Sequence, residues 1–599
     1  MRSPARVLNS LTKHSQTTEY RFERLYRILF NEEMYYLAYQ RIYAKPGNMT
    51  QGADGETIDR MSLPRIEKLI LSLKDESYSP QPSRRVHIPK KNGKTRPLGV
   101  PSFDDKLVQE VVRMVLEAIY EGHFEDTSHG FRPHRSCHTA LNAVQKTFTG
   151  KKWFIEGDIK GFFDNVNHDI LIDILKERIS DERFIRLIRK FLKAGYLEQW
   201  QFHGTYSGMP QGGIISPILA NIYLDKLDKY MKEYASKFDK GDRGRQQREY
   251  EVLTYQKRLV MRELKTATNN VERKVLVKRL KEIDKTRSAM PCFDPMDGNF
   301  KRLKYVRYAD DFLIGIIVSK VKIKDDIKRF LADRLALELS DEKTLVTHTE
   351  KPAKFLGYEV TVRKSNLQKR NKRGSLSRVY GNKVRLKVTT EVIKKKLLEL
   401  GVLKFSYHNG HEQWIPKHRS ELINNDDLEI LDSYNAEIRG FYNYYSIANN
   451  ASELNTFHYI MQYSMYKTFA GKYRTTVRRI CRKYKRNGVF TVGYTVKNGK
   501  AKERRLYNEG FKRKRPSYDR SVDRCPNPMP GVSTTSLIDR LKAQKCELCG
   551  ATDNLVMHHV RKLGELKGKE NWEKLMIARR RKTMAVCGSC HQKIHHGTF

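Results

Sequence analysis

Lys304–Ile316 reads KYVRYADDFLIGI, and the adjacent carboxylates Asp310 and Asp311 at its centre decide how the rest of the chain is read. Val306 and Tyr308 precede the pair; Phe312, Leu313, Ile314 and Ile316 follow it. Apolar, β-branched and aromatic runs on both sides predict two short strands meeting at an acidic turn. A strand interior excludes aspartate, because burying an unpaired carboxylate is costly. The pair reads either as two solvated turn residues or as ligands for a divalent cation. A second acid-broken apolar run far upstream, Trp153–Lys160 (WFIEGDIK), favours the cation. With Asp158 it gives three carboxylates from two segments, a set that can clamp two Mg2+ ions for in-line phosphoryl displacement.

The chain has 599 residues, too many for one core, so three or four domains are expected. Its 115 Lys+Arg against 69 Asp+Glu give a formal charge of +46, which opposes compaction unless a polyanion neutralises it. Nucleic acid is the natural partner, and 32 Tyr and 25 Phe supply stacking faces among the cations. No run of about 20 apolar residues exists to span a bilayer, so no membrane partner is expected. The polar N-terminal stretch has no signal-peptide core, which predicts an intracellular protein. Four of the eight cysteines form two CxxC pairs, Cys546/Cys549 and Cys587/Cys590, a pattern that indicates zinc rather than a disulfide scaffold.

Outward from the acidic runs, helical spacing covers FERLYRILFNEEMYYLAYQRIY, LPRIEKLILSLKDESY and DDKLVQEVVRMVLEAIYEGHF. Between the last two, Arg84–Leu98 reads as two strands around Asn92-Gly93, with cations flanking the turn. A loop, SGMPQGGIISP, opens the helix ILANIYLDKLDKYMKEY. Residues 239–290 are highly charged and helical, as expected of an inserted arm. Residues 364–387 form a basic boundary, helices resume to about 485, and the Pro- and charge-rich 508–535 reads as a linker or a small basic module.

EGDIKGFFDNVNH, SGMPQGGIISPILANIYL, YVRYADDF, LSDEKT and FLGYEV stand in the order of the conserved blocks of reverse transcriptases. Together with KKNGKTRPLGVP and HGFRPHRSCHTAL they resemble the group II intron-encoded proteins of bacteria over residues 20–365. The resemblance implies that Asp158, Asp310 and Asp311, with Ile159 beside them, form the Mg2+ set. It implies that Lys90 and Arg96 grip an incoming deoxynucleoside triphosphate, although ordinary surface charge is the plainer reading. Phe163 would pack under the sugar and exclude a 2′-hydroxyl, or simply fill the core. Gln211 would lie against nucleotide and template and Asp164 would be structural; Lys343 would sit near the site or be a solvated turn lysine. Arg439–Tyr445 (RGFYNYY) resembles the maturase, or thumb, domain that grips intron RNA, although most of its tyrosines would serve equally as core.

The tail adds Met557-His558-His559-Val560, then His591, His595 and His596, to the four cysteines. A bare zinc ribbon would need only the cysteines. The histidines resemble those of HNH (ββα-metal) endonucleases, which implies His559 as general base and His558 and His591, with His595, as holders of Mg2+ or a similar ion. Lys582 stands nine residues before His591, where many HNH enzymes place the Asn that braces the loop carrying the base.

The expected fold is α+β and multidomain: right-hand fingers and palm over 1–365, an all-helical thumb over 366–490, a basic DNA-binding region over 491–538, and a zinc-bound ββα nuclease over 539–599. The expected function joins RNA-directed DNA polymerase, splicing maturase and DNA endonuclease, with intron RNA and target DNA as partners. Members of the resembled family often dimerise, which leaves a homodimer among the expected partners. The expected location is bacterial cytoplasm, on the nucleoid when acting on DNA. Two rivals stay open: another bacterial reverse transcriptase class, or a splicing factor with decayed sites. The intact YADD, PQGG and Cys/His sets weigh against decay.

Overall fold

The computed structural model describes residues 3–43, 47–89, 95–199, 201–209, 212–294, 297–317, 321–363, 367–370, 376–378, 382–495, 501–523, 537–561, 563–579 and 581–597. Its centre is a four-stranded antiparallel sheet in the order Leu303–Tyr308, Asp311–Ile316, Trp153–Asp158, Leu345–His348. The two expected strands of the YADD segment are a hairpin joined by Ala309 and Asp310, with Tyr308 opposite Asp311. A second sheet is built on the hairpin Ser83–Pro89/Thr95–Val100, with Pro89 opposite Thr95. Lys90 and the Asn92-Gly93 turn of that hairpin lie outside the described residues.

Helices pack against the central sheet through continuous apolar faces. Phe103–Tyr120 starts at Ser102, whose Oγ accepts from the Asp105 amide, and buries Leu107, Val111, Val115 and Ile119. The helical expectation for residues 22–43 needs correction: a 3-10 turn, Leu25–Phe30, ends at Asn31, and an α-helix, Glu32–Ile42, begins there. The Asn31 side chain accepts from the Glu33 amide, so a cap restarts the helix where the apolar spacing alone reads as continuous. The inserted arm is two helices, Arg248–Thr266 and Asn270–Ala289. They share a small core of Val260, Leu276 and Ile283 and a Lys257–Asp284 ion pair.

A second core joins the back of the central sheet (Phe154, Val306, Leu313) to helices Asp427–Tyr445 and Leu454–Lys472. The expectation of an all-helical region here is wrong. Leu403–His408 and His411–Pro416 form a hairpin turning on Asn409-Gly410, both at positive φ. That dipeptide between strand-like runs is a strong hairpin signal, overlooked because the flanking helices dominate the periodicity. The expected limit at 490 also falls inside a strand, Val489–Thr495. Phe490, Val492, Leu506, Tyr507 and Phe511 are buried in the same core, so the described residues 490–495 and 501–511 are packed structure rather than linker.

The tail has strands Leu555–His559 and Thr583–Cys587, a helix Asn571–Arg579 between them and a final helix Gly588–His596. It does not stand apart. Leu537, Ile538, Leu541, Met557 and Ala585 belong to the same apolar core as Met34, Tyr35, Ala38, Tyr39, Ile58 and Met61 near the N-terminus. Among the described residues no helix is long and apolar enough to cross a membrane.

Candidate active sites

The strand register brings the three acids together. Asp158 lies opposite Asp311 on neighbouring strands, and Asp310 occupies the turn beside them. The surrounding protein, and then the charge of Asp310 and Asp158, push the Asp311 carboxyl up to about 7, although its side chain lies at the open end of the sheet. Burial and then Asp158 raise Asp310. Two carboxyls raised first by burial and then by neighbouring negative charge form a site that a cation would relieve. Lys343 partly fills that role, its Nζ donating to Asp158 Oδ2 at 2.7 Å. The hydrogen bond to Asp158 raises the Lys343 pKa. Arg96, projecting from the Thr95–Val100 strand, acts electrostatically on Asp310. The Ile159 side chain is buried, so only its backbone can serve the site.

The turn itself is held from behind by residues that the sequence reading missed. Arg307 and Asp228 are both fully buried and form an ion pair through two guanidinium nitrogens. Arg307 Nη1 also donates to the Ala309 carbonyl at 2.8 Å and Asn221 Oδ1 at 3.2 Å, and Nη2 donates to Ser128 Oγ at 2.8 Å. Ala309 sits at φ 56°, a left-handed conformation unfavourable for alanine, and the Arg307 bond helps to impose it. Gly130 packs on the same turn: a Cβ there would come 2.3 Å from the Ala309 nitrogen. A signal for the pair was present. Arg307 stands in the middle of a strand, and Asn221, Leu224, Asp228 and Met231 recur along one face of the Ser216–Phe238 helix.

Phe163 is half-buried against Phe162, with ring centroids 5.2 Å apart, and its carbonyl accepts from the Met209 amide at 2.6 Å. The SGMPQGG loop is thereby fastened to the segment that follows Asp158. Gln211 lies outside the described residues. The buried side chain of Gln109 fixes the far end of the loop, its Oε1 accepting from the Ile214 amide at 2.8 Å.

In the tail, the Sγ atoms of Cys546, Cys549, Cys587 and Cys590 lie within 4.8 Å of one another, with Cys549 and Cys587 at 3.6 Å. Thiolates about 2.3 Å from a tetrahedral Zn2+ stand roughly 3.8 Å apart, so the cluster fits zinc. His558, His591 and His595 converge as expected, and Asp59, from the N-terminal part of the chain, joins them as a fourth donor within 4.8 Å. Nothing in the polar GETIDR stretch marked Asp59 in advance. His559 is buried; its Nδ1 faces the Met557 carbonyl at 3.1 Å and its Nε2 the Tyr39 hydroxyl at 3.1 Å. Burial lowers the His559 pKa to about 4, which keeps the imidazole neutral. Lys582 braces the segment by backbone instead of by an amide side chain, its carbonyl accepting from the Val560 amide at 3.0 Å.

A central sheet with clustered carboxylates at one end, joined to a histidine and cysteine module, defines a reverse transcriptase-like polymerase with an appended nuclease module. The chain matches the family models for reverse transcriptase (RNA-dependent DNA polymerase) over residues 88–255, type II intron maturase over 382–515, and AI2M/AI1M-like HNH endonuclease over 546–591. The first match stops within the inserted arm, before Asp310, yet the sheet register sets Asp310 and Asp311 beside Asp158. The group II intron-encoded protein LtrA of Lactococcus lactis subsp. cremoris is 43% identical over 606 residues, covering 100% of both chains. The putative COX1/OXI3 intron 1 protein of Saccharomyces cerevisiae is 34% identical over 604 residues, 96% of this chain and 69% of its own. Protein YkfC of Escherichia coli is 34% identical over 359 residues, 58% of this chain and 84% of its own. The chain therefore belongs to the group II intron-encoded proteins and carries reverse transcriptase, maturase and HNH endonuclease domains.

Proposed function

We propose that the protein performs intron mobility in three linked steps: it binds and helps to splice its intron RNA, nicks one strand of a DNA target, and copies the RNA from the new 3′ end. The observation that carries the copying step is the pairing of Asp158 with Asp311 beside the Asp310 turn. Asp158, Asp310 and Asp311 would hold two Mg2+ ions, which lower the pKa of the primer 3′-hydroxyl and neutralise the triphosphate. Arg96, with Lys90, grips the triphosphate, and Lys343 balances Asp158. Phe163 lies under the sugar and rejects a 2′-hydroxyl by contact. The work of these residues is placement and charge balance, which is most of what phosphoryl transfer asks of a protein.

The central sheet then serves as palm, the Ser83–Val100 hairpin as fingers and 382–515 as thumb. Tyr434, Tyr442, Tyr445 and Tyr466 are core residues of that thumb, whereas Tyr459 and Tyr463 are exposed and pack on each other at 4.6 Å. The exposed pair offers aromatic faces suited to stacking contacts with structured RNA.

His559 is the general base of the nuclease, and His558, His591 and His595 hold its divalent ion. Three imidazoles suit a transition-metal ion better than Mg2+, with Zn2+ bound more tightly than Mn2+. His559→Ala is expected to lower DNA nicking by at least about a hundredfold while extension of a supplied primer stays within about twofold of wild type. Continued nicking would remove His559 as the base. The four cysteines hold a structural Zn2+. A strong chelator, followed by restored Mg2+, is expected to open residues 546–590 to protease and leave primer extension within about twofold. Protection unchanged by the chelator would exclude a structural ion.

A further inference from the structure

Among the described residues, the carboxylate of Asp59 is the one donor of the tail histidine cluster that does not come from the tail. Asp59 Oδ2 meets His591 Nε2 at 3.0 Å and His595 Nε2 at 2.9 Å, while Oδ1 accepts from the His559 amide at 2.8 Å and lies 3.6 Å from His558 Nδ1. Neither ring nitrogen of the buried His558 has a hydrogen-bond partner among the described residues, as expected of a ligand aimed at an ion.

The loop bearing Asp59 is firmly set. Arg65 Nη1 donates to the Asp59 carbonyl at 3.2 Å, and Arg65 Nε is tied to Asp104 at 2.7 Å. Arg60, the next residue, is held at φ 62°. The Met557 amide donates to the Met61 carbonyl at 2.8 Å, so the nuclease strand is bridged directly to this loop. Around the seam lie the apolar contacts of Leu537, Ile538 and Leu541, and Lys542 reaches Glu33 at 3.1 Å.

We propose that Asp59 is a cross-domain latch on the nuclease centre: it fills the place that a DNA phosphodiester must take and holds the endonuclease closed against the reverse transcriptase. A phosphodiester presents one negative charge shared by two oxygens, and the Asp59 carboxylate presents the same to His591, His595 and the His559 amide. An ion held by the three histidines gains Asp59 as a fourth ligand, which tightens the closure and removes an open position that substrate needs. Closure also seals the base, because His559 is buried against the Tyr39 hydroxyl. DNA opens the centre by competing with Asp59, so cutting is restrained until a target is engaged.

This inference rests on the HNH reading of the tail. The test uses the full chain with Mn2+ and compares wild type, Asp59→Asn, and Leu541→Asp, which disturbs the apolar seam without touching the cluster. Amide exchange at Met557 and His559 is expected to speed up about tenfold or more in both variants. Nicking of duplex DNA by the RNA-free protein is expected to rise about tenfold in both. Unchanged exchange in both variants, or nicking no faster than wild type, overturns the latch; loss of nicking in Asp59→Asn alone would make Asp59 a required ligand instead. Adding His559→Ala separates the two failures. If nicking survives His559→Ala, the HNH reading itself is lost; if His559→Ala silences nicking and Asp59→Asn does not raise it, only the latch is lost.

Discussion

Asp310→Asn is expected to cut cDNA synthesis on an RNA template by at least about a thousandfold, the scale at which removing a group that organises charge in the transition state is felt. The substitution keeps the volume of the side chain and relieves repulsion among the three acids, so the fold should be as stable as before or slightly more so. Affinity for intron RNA should stay within about twofold, because the thumb surface and the acidic end of the sheet do not share residues. Primer extension and RNA binding measured on the same preparation check both halves. Extension within tenfold of wild type would remove Asp310 from the metal set.

Arg307→Met carries the second large effect. The guanidinium is fully buried and its partner Asp228 equally so. Removing one member leaves an uncompensated charge in the core, which costs about 3–5 kcal/mol. Denaturant unfolding should register a loss of that size. The same substitution frees the Ala309 carbonyl from Arg307 Nη1, so extension should fall even at temperatures where the variant is folded. Arg307→Met with Asp228→Leu should recover part of the stability, since an apolar pair can replace a buried ion pair at little cost, whereas the buried Tyr305 hydroxyl, which donates to Asp228 Oδ1 at 2.9 Å, loses its partner. It should not recover the activity, because the bond that shapes the turn is still missing. A single variant as stable as wild type would show that the pair is not what holds the turn.

The convergence of Asp158, Asp310 and Asp311 was legible because its signals are local: acids inside apolar runs are costly, and all three break such runs. The convergence of the four tail cysteines was legible from their paired spacing. What the sequence concealed depends on distance along the chain. Asp59 is an unremarkable residue of a polar turn and becomes a fourth donor only because the tail folds back some five hundred residues later. Arg307 and Asp228 sit at positions whose periodicity marks them as buried, but only their mutual approach makes burial tolerable. The Asn409-Gly410 hairpin was visible and was overridden by the helical pattern around it. The expected boundary at 490 cuts a strand because Phe490 and Val492 join the core of helices Asp427–Tyr445 and Leu454–Lys472, a signal too short to stand out within a basic stretch.

On this account one chain makes the primer with one site and extends it with another. Target-primed synthesis with the protein, its intron RNA and an end-labelled DNA target tests this in a single gel. Wild type should give a nicked strand extended by a copy of the intron RNA. Asp310→Asn should give the nick without extension, and His559→Ala should give neither, while still extending a primer supplied with its 3′ end already cut. Extension by Asp310→Asn, or normal nicking by His559→Ala, would contradict the assignment of the two sites.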